Sequence, residues 1–141
     1  MIPNRKICYN RNVIYLQEFS SQDNQDKMIF LKGADFQVEG FNIVSMFEKV
    51  ETVEQMHDKI KELKELSDHN PCERIFYWIL RDDNPIGVIT LRPALNGFWL
   101  HNAGHIGIAI DKPYRGQGYG TEALKKSAKK LISNIILKIL S

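Results

Sequence analysis

Apolar residues recur at helical spacing through one segment of this chain and run almost unbroken through three others. Val53, Met56, Ile60 and Leu63 fall three and four residues apart, and Leu66 continues the row. Asp58, Lys59, Lys61, Glu62 and Lys64 fill the positions between them. This spacing predicts an amphipathic helix over 52–66, its apolar stripe turned to a core. Thr52 stands where it can cap the first turn, and Gln55 follows three residues later, as in a capping box. Asp68-His69-Asn70-Pro71 supplies the stop. Ile75-Phe76-Tyr77-Trp78-Ile79-Leu80 is aromatic and branched throughout and predicts a strand, 75–80. Asp82-Asp83-Asn84-Pro85 has turn chemistry. Ile86 to Arg92 is the return strand, 86–92, so the two form a hairpin. His105-Ile106-Gly107-Ile108-Ala109-Ile110 predicts a third, central strand, 105–110. A helix over 121–133 follows, with Leu124, Ala128 and Leu131 on one face. Asn134 is read as its end, and the β-branched run Ile135 to Leu140 as a strand lying parallel to the preceding one across the helix.

The first fifty residues are harder to parse. Ile7 to Phe19 fits a strand or a helix. Asp23-Asn24-Gln25-Asp26 is a polar break, and Phe41 to Phe47 is an apolar stretch of short-helix length. Pro93 to Gly104 reads as a long loop with its own apolar residues, Leu95, Phe98, Trp99 and Leu100.

With 141 residues, 43% of them hydrophobic, the chain can bury the core of one soluble domain, 1–141. A net charge of +2 is too mild to argue for nucleic acid. No segment has membrane-spanning apolar length, and residues 1–6 lack the apolar centre of a secretion signal. Cys8 and Cys72 form no disulfide framework or metal spacing, which points to a reduced, cytoplasmic setting. Lys125, Lys126, Lys129, Lys130 and Lys138 follow Glu122 with no acidic residue after it. That bias suits a helix C-terminus, and it also suits an anionic ligand or partner.

The chemistry concentrates in Arg115-Gly116-Gln117-Gly118-Tyr119-Gly120. Three glycines in a strand-to-helix turn leave backbone N–H groups bare at a helix N-terminus, a cradle for phosphate. A Walker loop is excluded, because Thr121-Glu122 stands where Lys-Ser/Thr is required. Gly118-Tyr119-Gly120-Thr121-Glu122-Ala123 matches a dinucleotide turn, G-x-G-x-x-A. The acidic residue that should follow about twenty positions on is absent, since position 138 is a lysine.

The pattern Arg115-x-x-Gly118-x-Gly120, set between a strand and a helix after a hairpin, resembles the phosphate loop of the GNAT superfamily of acyl-CoA-dependent N-acyltransferases. Leu91-Arg92, Leu95-Asn96 and Gly104-His105-Ile106-Gly107 also resemble a bacterial subgroup of predicted acetyltransferases. The resemblance covers about residues 52–133. It implies an α/β (α+β) domain with a GNAT-like mixed sheet, and an N-acetyltransferase that moves an acetyl group from acetyl-CoA to a primary amine on a small molecule or a protein. No metal is implied. The loop amides, Arg115, Gly116, Gln117, Gly118, Tyr119, Gly120 and Thr121, would bind the diphosphate of the co-substrate. The central strand, Ile108-Ala109-Ile110, would offer backbone groups to the pantetheine arm. His105 stands near where relatives carry a base, and a structural histidine is the competing reading. His101 and His105 are too loosely placed for a metal pair. Tyr119 reads as packing, and Asp82 and Asp83 as turn residues.

Relatives continue with a further helix and strand pair. The expectation is therefore a truncated chain, with a second functional class in view: a relative that binds CoA without turnover, or serves as an interaction domain. An unpaired apolar edge at 135–140 would favour a homodimer.

Overall fold

The structure, a computed structural model, describes residues 14–36, 46–65, 74–92 and 106–140. Strand β1 spans Tyr15–Glu18, helix α1 Gln25–Gly33, helix α2 Val53–Lys64, strand β2 Ile75–Arg81, strand β3 Asn84–Leu91, strand β4 Ile106–Ile110 and helix α3 Tyr119–Leu140. The described strands form one sheet in the order β1-β2-β3-β4, every neighbour antiparallel. The α/β class, the hairpin and the helix ahead of it are as expected, whereas β1 precedes that helix in the chain and the described strands pair antiparallel throughout instead of as a mixed sheet.

Two apolar cores lie on opposite faces of this sheet. Phe76, Trp78 and Leu80 of β2 pack with Met28 and Leu31 of α1 and with Met56, Ile60 and Leu63 of α2. Tyr77 and Ile79, the alternate residues, pack with Tyr119, Ala123 and Leu131 of α3. β2 is thus covered on both sides, which is why its sequence is continuously apolar rather than alternating. Burial, followed by the carboxylate of the opposing Glu18, pushes the Tyr77 phenol above its ordinary 10.0.

The pairing of β2 with β3 shifts register beside Ile79 and Leu80. Ile86 and Val88, two residues apart, consequently fall in different cores. A bulge of this kind re-aims the strand at its end. The turn between the strands places Asp82 and Asp83 at φ 50° and 66°, with Arg81 opposite Asn84. Two successive positive φ values in a two-residue loop make a type I′ turn, which favours glycine at its second position. Asp83→Gly is expected to stabilise the fold by about 0.5 kcal/mol, relief of the left-handed strain outweighing the added freedom of the unfolded chain. An upward shift of the urea midpoint checks it.

α2 opens with the predicted capping box: Thr52 accepts from Gln55 N at 3.1 Å and Gln55 Oε1 accepts from Thr52 N at 3.2 Å. α1 went unrecognised in the sequence. Its signals are the Asn24 cap, which accepts from Lys27 N at 3.1 Å, and the spacing of Met28 and Leu31. Just before it lies Asp23, 3% exposed. Its carboxylate accepts from Ser20 N at 2.9 Å, from Trp78 Nε1 at 2.8 Å and from Lys27 Nζ at 3.2 Å. Asp23→Ala would strand the indole N–H of the fully buried Trp78, for a cost of about 1–3 kcal/mol measurable by urea unfolding.

One expectation fails. Residues 135–140 are not a strand; they continue α3 to Leu140. No glycine or proline interrupts 121–140, and extending a formed helix adds a hydrogen bond for each residue ordered. The small β preference of isoleucine does not overcome that. The sheet therefore gains no parallel strand there, and the edge argument for a homodimer loses its basis. α3 also begins two residues before the predicted 121. Ile7 to Val13, the greater part of the Phe41–Phe47 stretch, the loop 93–104, Cys8, Cys72, His101 and His105 lie outside the described residues.

Candidate phosphate-binding loop and strand edge

After β4 the chain makes a short 3₁₀ turn, Lys112–Tyr114, and then the loop that opens α3. Gly116 and Gly118 sit at φ 76° and 88°. A Cβ built at either meets no atom within 4 Å, so the glycines answer a backbone demand and keep the approach to the main chain unobstructed. The carbonyl of Gly118 accepts from Glu122 N at 3.1 Å, which makes Gly118 the residue that opens the helix. The N–H groups of Gly118, Tyr119, Gly120 and Thr121 precede that bond and, as at any helix start, have no intrahelical acceptor. Four amides and the positive end of a 22-residue helix meet at this point.

The side chains hold the loop in shape. Arg115 Nε donates to Ile110 O at 2.9 Å and Arg115 Nη2 to Asp35 O at 2.8 Å. Gln117 Nε2 donates to Pro113 O at 3.2 Å. Of the two roles the sequence left open for Arg115, loop geometry is the one these bonds describe. Tyr119 is 2% exposed, with the guanidinium of Arg81 5.6 Å from its ring centroid. Its side chain packs in the core on the α3 face of the sheet.

β4 is the last described strand of the sheet, and its outer side carries the second half of the site. Asp111 N donates to Ile86 O at 2.9 Å. Antiparallel alternation then turns the main-chain groups of Ala109 and Gly107 toward β3, and those of Ile106, Ile108 and Ile110 away from it. The bond from Arg115 to Ile110 O agrees with that geometry. A mostly apolar groove of about 450 Å³ runs beside this edge, lined by Ile108, Ile110, Tyr114, Arg115, Gly116, Gly120, Thr121 and Leu124. Of the residues expected at the loop, Arg115, Gly116, Gly120 and Thr121 share this groove with Ile108 and Ile110, and Gln117, Gly118 and Tyr119 do not line it. Ala109 is 1% exposed, and its peptide groups face β3. His105 falls outside the described residues. Asp82 and Asp83 form the hairpin turn, and Asp35 and Asp111, which the sequence did not single out, touch the loop's entry.

A phosphorylated head at the loop with an apolar or extended arm along β4 is what this arrangement accommodates. The family model described as "Acetyltransferase (GNAT) family" matches residues 41–140, from before α2 through α3, and leaves β1 and α1 outside the match. No curated protein matches the sequence.

Proposed function

The chain belongs to the GNAT acetyltransferase family, and from that premise we propose that it transfers the acetyl group of acetyl-CoA directly to a primary amine. Acyl-CoA-dependent acetyl transfer is the reaction of the family. The observation that carries it is the helix start at Gly118, where the amides from Gly118 to Thr121 precede the first intrahelical bond beside the left-handed Gly116 and Gly118.

In this reading those amides hold the diphosphate, and the groove beside Ile108, Ile110 and Leu124 takes the pantetheine arm. The outward main-chain groups of Ile108 and the outward N–H of Ile110, whose carbonyl is held by Arg115, bond that arm as a neighbouring strand would. An outward N–H on the same edge stabilises the negative charge that develops on the thioester oxygen as the amine attacks. The carbon–nitrogen bond forms, the carbon–sulfur bond breaks, and the thiolate leaves as CoA. The amine gives up its proton to a base or a water chain.

His105, the residue before Ile106, is the base candidate. His105→Gln is expected to leave CoA affinity unchanged. It should remove the rise of kcat with pH that a general base produces. An unaltered pH profile would return that histidine to a structural role.

The test of the whole reading combines calorimetric titration with CoA and thiol release from acetyl-CoA over a panel of primary amines. Binding with amine-dependent release is expected. Binding without release on any amine supports a CoA-binding module without turnover. No CoA binding at millimolar ligand removes the reading altogether.

A further inference from the structure

We propose that Asp111 and Arg115 are positioning residues that clasp the main chain of Asp35, coupling acyl-CoA binding at the loop to the chain leaving α1. Asp35 follows the helix by two residues and lies 76 and 80 positions before its two partners. Its N–H donates to Asp111 Oδ1 at 2.8 Å. Its carbonyl accepts from Lys112 N at 2.9 Å and from Arg115 Nη2 at 2.8 Å. Both hydrogen-bonding groups of one peptide segment are therefore held by the turn that feeds the phosphate loop. The turn is itself closed, by Tyr114 N to Asp111 O at 2.9 Å and Arg115 N to Lys112 O at 3.2 Å. Next to Asp35, Phe36 is 5% exposed and packs edge-on to Phe30 of α1, which anchors the held segment in the core.

The charge of Asp111 makes the case. A carboxylate four residues before an anion-binding loop opposes binding by simple repulsion. Its place there is explained by the bond to Asp35. Arg115 aims Nε and Nη2 at two different carbonyl oxygens, a geometry that a point-charge ammonium does not reproduce. If the bound nucleotide favours the clasped loop, linkage requires that losing the clasp weaken nucleotide binding by the same factor.

This inference rests on the loop being the CoA site, and the test separates the two. CoA is titrated into wild type, Asp111→Asn, Asp111→Ala, Arg115→Lys and Arg115→Ala, with the exchange of the Asp35 amide followed by hydrogen–deuterium exchange with and without CoA. The clasp predicts opposite signs at position 111. Asn keeps an oxygen acceptor and sheds the charge, so affinity holds or improves. Ala loses the acceptor, so Kd rises about tenfold and the Asp35 amide exchanges fast in either state. It also predicts that Lys fails at 115 nearly as badly as Ala. In wild type, CoA slows exchange at Asp35. Tighter binding by both 111 variants would mean that charge alone acts there, and a wild-type-like Arg115→Lys would mean a phosphate contact. Either result, or Asp35 exchange indifferent to CoA, overturns the clasp while leaving the loop reading intact. A wild-type chain that binds no CoA removes both. The Asn and Lys variants keep the test decisive where an alanine variant fails to fold.

Discussion

Gly118→Glu is expected to weaken CoA binding at least a hundredfold while leaving the fold in place. The new Cβ meets no atom within 4 Å, so nothing in the protein resists it sterically. Its φ of 88° imposes strain of about 1–2 kcal/mol. A carboxylate at a helix N-terminus recovers part of that through the dipole. The ligand, by contrast, meets a full negative charge where its diphosphate should lie. At about 5 Å and an effective dielectric near 20, each unit of like charge costs roughly 3 kcal/mol, more than the ~2.7 kcal/mol that corresponds to a hundredfold. Gly118→Ala carries the strain without the charge and should lose far less affinity. Calorimetric titration of both variants with CoA, beside far-UV circular dichroism, reads the result. A glutamate variant that binds CoA like wild type would mean that the diphosphate does not sit on these amides.

Gly87→Val is expected to cost about 3 kcal/mol or more of stability and to take CoA affinity with it. Gly87 stands opposite Ile110 and Ile79 in the sheet. A Cβ there would collide with Ala109 O and lie 3.1 Å from the Cδ1 atoms of Ile110 and Ile79. The two isoleucine ends can turn aside, but a strand carbonyl cannot without parting β3 from β4. Overpacking of this kind costs about 1–3 kcal/mol for small additions, and a β-branched side chain beside the bulge exceeds that. The displaced stretch runs straight into Asp111 and the 115–120 loop, so the damage does not stay local. Urea unfolding measures the first effect, and CoA titration under native conditions the second. Stability within about 0.5 kcal/mol of wild type would show that the strands are not held this close.

Much of the site's architecture was legible because its demands are local. Thr52 and Gln55 cap their own helix, and turn chemistry at 82–85 needs only neighbours in sequence. The glycines at 116, 118 and 120 mark a strand-to-helix turn by residue type alone, and the structure adds that the first two are left-handed. α1 was missed because its sequence is amphipathic only weakly: Ile29 is exposed and two buried residues, Met28 and Leu31, carry its packing. The 135–140 segment was misread for the opposite reason. Its isoleucines state a preference, and the helix already formed before them overrides a preference of that size.

Taken alone, the order of residues determined the hairpin, the capped helix, the strand into a glycine turn and the helix dipole behind it. Each follows from contacts between residues near one another along the chain. Folding decided what no local rule contains: that Asp23 is the acceptor for a tryptophan 55 residues away, that the outer edge of β4 meets the loop in one groove, and that Asp35 lies against Arg115. Those partners are fixed by which faces of the sheet each helix covers. That depends on burying both sides of β2 at once, a condition only the whole domain can satisfy.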